Sequence, residues 1–405
     1  MKEYKPSKKI LEKYADVMVH YALNEGKGIK KNETVLLVGR EQTKPLLFEI
    51  YKKIIDAGAH VVLEYLPDDS EYNFDEYFYN NANEKQISNF PAKLVRGKID
   101  EINHYLRVLS ESDMDILKNA NSKNIMKKGD AWKPWMQWRN EKQATGKFSW
   151  TLCNYGTPAM AAAANLDIKE YWNQIIKACY LRDKNPVATW QDLQKQIQKN
   201  VKKLDTLCID TLKIEGSDVD LEIKLSPFSA WKGGSGANIP SFEIFTSPDW
   251  RGTNGWIRFN QPLYRYGNVI ENIYLEFKKG KVVKATATKG QKILREMIAT
   301  KNADKIGEFS LTDMRFSKIT KPMADTLYDE NMGGKYGNTH IALGMSYRDC
   351  YKGDYTKLNE SDWKKLGYNN SSVHTDIIST TDRTVTATLQ NGTEKVIYQK
   401  GKFNL

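Results

Sequence analysis

Cysteine is scarce in this chain, histidine nearly as scarce, and long apolar runs are missing. The four cysteines, Cys153, Cys179, Cys208 and Cys350, lie far apart and form no C-x-x-C pair. That excludes a disulfide framework and a cysteine-based zinc module, and fits reduced thiols. No stretch of about 18 apolar residues occurs, so no membrane helix is predicted. The opening MKEYKPSKKILEKYADVMVHYAL is basic but lacks an apolar core followed by a small-residue cleavage site. A cytoplasmic protein with no membrane partner is expected. G-x-G-x-x-G and G-x-x-x-x-G-K-[ST] are also missing, which removes the usual reasons to propose a nucleotide.

Charge of one sign is not missing. The formal net charge is +11 and the pI is near 9.1. The excess is lysine, spread in pairs along the chain, without clustered arginines and without basic runs interleaved with aromatics. Such a pattern reads as a solvated surface, and no nucleic-acid partner is expected. A basic RNA-binding protein is the alternative that net charge alone leaves open.

With 405 residues and 40% hydrophobic content, the chain can bury a large core in two or three domains. Residues 10–23 carry apolar side chains at helical spacing. Thr34–Val38, a helical stretch from Pro45 to Ala57 closed by Gly58, and Val61–Tyr65 form a βαβ pattern, which favours a parallel sheet. Tyr105–Leu109 and Phe148–Leu152 read as further strands. Between them Trp132, Trp135 and Trp138 fall roughly on one helix face and are read as packing. A long helix is predicted over Thr189–Leu204, with Thr189 and Asp192 as a capping-box start. After Leu207 the period changes to two, at Val219, Leu221, Ile223 and Leu225 and again at Ile273, Leu275 and Phe277. A helix over Gln291–Ala299 interrupts the strands, and Asn391-Gly392 marks a closing hairpin. The expected organisation is an α/β N-terminal domain over 1–205, with βαβ units and a parallel sheet. An α+β, strand-rich C-terminal domain over 206–405 follows.

The chemistry gathers in the second half. His374 and Asp376 alternate in an extended segment, so both side chains can reach one centre, and neutral imidazole with carboxylate suits zinc-like cations. His340 lies upstream in NTHIALG. Glu243 in NIPSFEIF and Glu308 in IGEFSL are acids in apolar surroundings, and an ionised carboxylate buried there needs a partner. Taken singly, each reads as a strand-end surface residue. Together, three carboxylates and two imidazoles suffice for two metals sharing a bridge. His20, His60 and His104 read as satisfied or exposed histidines. Ser371 and Ser372 lie near His374 without a G-x-S-x-G elbow, which rejects a serine hydrolase.

TLKIEGSDVDLEI, NIPSFEIFTSP, NGWIRF, LEFKKGKVV, IGEFSL, YDENMGGKYGNTHIALGMSY and HTD occur in the order seen in the M29 metallo-aminopeptidases, the thermophilic aminopeptidase family. The opening also resembles that family, through LEKYADVMVHYALNEGKGIKKNETVLLV and DAGAHVVLEYLPDD. The resemblance covers nearly the whole chain and is weakest between about 71 and 150. It implies a metal-dependent aminopeptidase that removes the N-terminal residue of peptides with a free N-terminus through a water activated by two divalent ions. Zinc or cobalt is expected first, manganese or magnesium next. The implied ligands are Glu243, Glu308, His340, His374 and Asp376. Tyr347 stands where the family's tyrosine falls and is expected to stabilise the oxyanion. Glu308 is a second catalytic candidate, as bridge or proton shuttle. Glu330 and Asn331 are expected to fix an imidazole. A homodimer is implied, with the Trp132–Trp138 face as part of its surface. Departures from the family pattern are Phe242 in place of a small residue, a longer loop at 333–338, and HTDIIS in place of an aromatic-rich tail. They leave a degenerate, peptide-binding member of the family as the alternative function.

Overall fold

The structure, a computed structural model, describes residues 4–67 and 72–405. Its first half is built on a parallel sheet. Thr34–Arg40 pairs with His60–Leu66 on one side and with His104–Leu109 on the other, and Ser149–Asn154 continues the sheet. The βαβ expectation holds: the helix Lys44–Asp56 connects the first two strands, and Leu46, Leu47, Ile50 and Ile54 form its buried face. The helix Lys8–His20 starts at Ser7, whose hydroxyl accepts from the Ile10 N–H, and buries Tyr14, Val17 and Met18. The long helix spans Pro186–Thr206 and begins earlier than its sequence suggests. Asn185 caps it through the Ala188 N–H, with Pro186 in the first turn, where its missing N–H costs nothing. Thr189 instead donates to Asp183 at 2.8 Å.

The tryptophan segment is also corrected. Trp132 is the junction between two helices, Ser122–Ala131 and Lys133–Ala144, so the three rings do not share one continuous helix. Trp132 and Trp138 pack on Phe90, at 5.3 and 5.5 Å between centroids, and Trp135 meets Tyr105 at 6.1 Å. Their partners lie within the chain.

The second half is antiparallel. An eight-stranded sheet contains the expected alternating strand Val219–Lys224 and the closing hairpin Arg383–Leu389 with Glu394–Gln399. A second, five-stranded sheet has the order His374–Ser379, Asn338–Gly344, Ile306–Thr312, Glu243–Thr246, Lys232–Gly233. One short segment joins this sheet to the parallel one. Asn238–Ile239 pairs in parallel with Leu152 and Cys153 as the fifth strand of the first sheet, and the chain then runs directly into the Glu243 strand.

Candidate metal centre

Strand periodicity sorts the five-stranded sheet into two faces. Ile244, Phe309, Leu311, Ile341, Leu343 and Ile377 are fully buried and form the apolar face. Alternate positions, Glu243, Glu308, His340, His374 and Asp376, fall on the other face, as residues i and i+2 must. Register brings them together: Ala342 stands opposite both Glu308 and Asp376, and Gly344 opposite His374.

All five residues named from the sequence converge. His340 Nε2 lies 3.2 Å from Glu243 Oε2 and 3.2 Å from Glu308 Oε1. His374 Nε2 lies 3.4 Å from Glu308 Oε2 and 3.5 Å from Asp376 Oδ1. Two donor clusters result, Glu243 with Glu308 and His340, and Glu308 with His374 and Asp376. Glu308 belongs to both, one oxygen to each. Among the described residues no lysine or arginine forms an ion pair with these three carboxylates; their ion-pair partners are imidazoles, and the Ser241 and Ser310 hydroxyls donate to Glu243 at 3.4 Å each.

Electrostatics follow from burial and crowding. Burial pushes the Glu243 carboxyl above the usual range, against the pull of His340. It acts in the same direction on Asp376, where the His374 and His340 imidazoles and Arg265 outweigh it and hold the group at about 2. Burial disfavours both imidazolium ions, yet the surrounding carboxylates raise the pKa of both rings well above the ordinary histidine value. Three carboxylates in such a site need cationic compensation, and the donor set of imidazole nitrogens and carboxylate oxygens fits divalent ions.

Tyr347 lies beside the cluster, half-buried, with its ring 4.7 Å from that of His374 and 5.7 Å from that of Phe245. Burial, then the fields of Glu308, Asp376 and Glu243, raise its pKa well above that of a free phenol. The hydroxyl therefore remains protonated and able to donate.

The supporting residues differ from expectation. Glu330 and Asn331 do not bond to an imidazole. Asn331 Oδ1 accepts from the Phe242 N–H at 2.6 Å, which holds the strand that delivers Glu243, and Glu330 Oε1 accepts from Asn238 Nδ2 at 3.2 Å. Burial, then Glu243 and Asp376, push the Glu330 carboxyl well above its usual range, making it a further acid at the site. The group that orients His374 is the Met345 carbonyl, 2.8 Å from Nδ1, while Arg265 Nη2 donates to the His374 carbonyl at 3.1 Å. A backbone carbonyl leaves no residue signature, so composition could not have revealed it. Phe242 turns away from the site into the core, stacked on Trp190 at 5.5 Å and 17°. The loop at 333–338 folds toward Tyr398, whose hydroxyl donates to the Tyr336 carbonyl at 3.1 Å.

The remaining histidines lie elsewhere. His20 pairs with Asp16 at 3.8 Å, His60 is exposed, and His104 is buried between Ser149 and Glu33 at 2.9 and 2.8 Å. Ser371 Oγ donates to the Lys301 carbonyl at 2.9 Å and is not available to His374.

Comparison with known proteins fixes the class. A family model described as thermophilic metalloprotease (M29) matches residues 7–403. Aminopeptidase PepS of Streptococcus thermophilus is 26% identical, over 98% of each chain. Aminopeptidase AmpS of Bacillus subtilis (strain 168) is 25% identical, over 97% of this chain and 98% of that one. The solved structure of wild-type AmpT from Thermus thermophilus superposes with a TM-score of 0.82 at 24% identity, covering 98% of this chain and 100% of that one, and shows the shared fold. The protein is a metallopeptidase, a metal-dependent hydrolase of peptide bonds. It belongs to the thermophilic metalloprotease (M29) family.

Proposed function

We propose that the protein is an aminopeptidase that removes the N-terminal residue of peptides at a dinuclear metal centre. The observation that carries this reading is Glu308, whose two oxygens face His340 and His374 separately and so divide five donors into two overlapping sets. Glu243 and His340 complete one set, His374 and Asp376 the other. Two divalent ions, zinc or cobalt before manganese or magnesium, would supply an activated water and a polarised scissile carbonyl.

The chain's own residues do the rest. His374 presents Nε2 to the site because Nδ1–H donates to Met345, the arrangement that fixes a ligating tautomer. Tyr347 keeps its proton and donates a hydrogen bond to the oxygen that gains charge during attack. Glu308, at the junction of the two sets, would serve either as the ligand shared between them or as the group that passes a proton toward the leaving amine. Acidic groups beside the centre suit a substrate with a free, positively charged N-terminus, which limits cleavage to one residue at a time.

The reading includes a cytoplasmic homodimer. Free cysteines and the lack, among the described residues, of any helix long and apolar enough to cross a membrane are compatible with that compartment. Exposed apolar side chains at Phe48, Val62 and Leu63 give a subunit surface something to bury. The deciding experiment combines metal analysis with turnover of an aminoacyl chromogenic substrate, before and after chelation and metal return. Two equivalents of metal with turnover that follows them are expected. Full turnover with one equivalent ends the dinuclear reading, and light scattering that shows only monomer ends the dimer.

A further inference from the structure

One strongly buried cation has no place in the machinery above. Arg139, on the helix Lys133–Ala144, is 8% exposed. Its guanidinium carbon lies 5.3 Å from the centroid of Tyr105, 5.4 Å from Trp150, 5.7 Å from Phe148 and 5.8 Å from Trp135. Its hydrogen bond within the chain goes to the Met136 sulfur at 3.6 Å, a weak acceptor, and Nε is buried with no partner. Among the described residues no carboxylate pairs with it. A buried charge is ordinarily matched by an opposite one, and aromatic faces, which favour a nearby cation, are far weaker acceptors for its N–H groups than a carboxylate.

The cage lies on the strand next to the metal-site segment: Trp150 is two residues before Leu152, which pairs with Asn238, and the Asn238 side chain donates to Glu330. Tyr105, Trp135 and Trp150 are each partly exposed. Tyr347, in contact with His374, is among the groups whose field reaches Arg139, and Lys133 on the same helix feels Arg348, next to Tyr347, and Glu360, which opens the helix Glu360–Lys365. A planar guanidinium whose Nε has no partner and whose Nη1 meets only a weak sulfur acceptor matches a carboxylate in shape and charge. An extended peptide advances about 3.5 Å per residue, so the carboxylate of a di- or tripeptide lies about 7–10 Å beyond its N-terminal amine.

We propose that Arg139 and its aromatic cage form a carboxylate subsite, which binds the far end of a short peptide whose N-terminus is held at the Glu243–Asp376 cluster. The proposal rests on the aminopeptidase reading and narrows it to small peptides. Phe148 and the tryptophans exclude water from the contact, and they keep the guanidinium plane in one orientation when no substrate is bound.

The test compares Leu-Gly-Gly with its C-terminal amide on the metal-loaded, full-length protein. In the wild type, KM for the free acid is expected to be lower by about 10- to 100-fold, the range for a charge-assisted contact. In Arg139→Gln the two peptides should converge. Because the ratio is taken within one protein, any general loss from a disturbed fold cancels. Arg139→Lys, which keeps the charge and loses the fork, should give an intermediate ratio, and Trp150→Phe, which alters the cage and leaves Arg139 in place, should shrink the ratio if the Arg139 variants do not fold. An amidated peptide ending in aspartate separates the two sources of a carboxylate: cleavage as efficient as for the free acid assigns a side chain, and cleavage as poor as for the amide assigns the chain terminus. Equal KM for acid and amide in the wild type, or a preference that survives Arg139→Gln, overturns the subsite and leaves the aminopeptidase reading standing. Failure to cleave any of these peptides overturns both.

Discussion

His374 Nδ1 stands 2.8 Å from the carbonyl oxygen of Met345, and this single contact sets the ring with Nε2 turned into the carboxylate cluster. The carbonyl reaches that position because Gly307 lies beneath it, in the bulge between Ile306 and Glu308; a Cβ at Gly307 would run into the Met345 and Gly344 carbonyl oxygens. Thus the glycine before Glu308 is required for the orientation of a histidine on a strand two places away. Gly307→Ala should displace the Met345 carbonyl and weaken metal binding by about 10- to 100-fold, the usual effect of losing such an orienting partner. Metal titration of the variant checks this, and unaltered affinity would remove Met345 from the account.

His374→Ala deletes the donor itself. Turnover should be abolished and metal content should fall, because His374 and Asp376 come from one strand and the loss of one opens that coordination sphere. A variant with full metal content and full rate would sink the site assignment.

Much of this site was legible because strand periodicity is a strict rule. Once 374–379 is extended, His374 and Asp376 must share a face, and the acids set among apolar residues at Glu243 and Glu308 marked positions where burial needs a partner. Motif order then supplied His340. What remained hidden is carried by backbone and by long-range register: the Met345 carbonyl, the pairing of Ala342 and Gly344 with the ligand positions, and the return of Asn238–Ile239 to the first sheet. The roles of Glu330 and Asn331 were misread for the same reason, since their partners, Asn238 and Phe242, lie far away in the chain. Helix starts erred locally. Asn185 followed by Pro186 outcompeted the Thr189 and Asp192 pair, and Pro134 restarted a helix just after Trp132.

Phe242 tests whether the departure from the family's small residue shapes the pocket or the core. It is fully buried and stacked on Trp190, so Phe242→Ala should lower stability by about 3–5 kcal/mol, the range for removing a buried aromatic ring. Substrate preference should stay unchanged. Denaturant unfolding and a small panel of N-terminal residues measure both; a broadened preference with unchanged stability would place the ring in the pocket instead.

His104 offers a pH test remote from the metal centre. Burial lowers its pKa despite Glu33 at 2.8 Å, so the folded protein favours the neutral ring more than the unfolded chain does. Below the unfolded value of about 6.5 the unfolded chain gains a proton that the folded one takes up less readily, and this contribution to stability shrinks as pH falls. The Glu33 carboxyl, held below its usual range, changes stability in the same direction at lower pH. The gap in thermal midpoint between wild type and His104→Asn should therefore narrow from pH 8 to pH 5. A constant gap would show that the ring does not titrate differently in the two states.

Tyr347 separates ligand from catalyst. Its ring packs against His374 and Phe245, and the proposed work of the hydroxyl is a hydrogen bond made to the transition state. Tyr347→Phe keeps the ring, so metal content, thermal midpoint and KM should stay close to those of the wild type. Turnover should fall by roughly 100-fold, the usual effect of losing one oxyanion donor. A tyrosine with only a structural role gives the opposite pattern, near-normal turnover with a small loss of stability from one hydroxyl. Measuring all four quantities on the same preparation decides between them, and an unchanged rate constant would end the catalytic assignment.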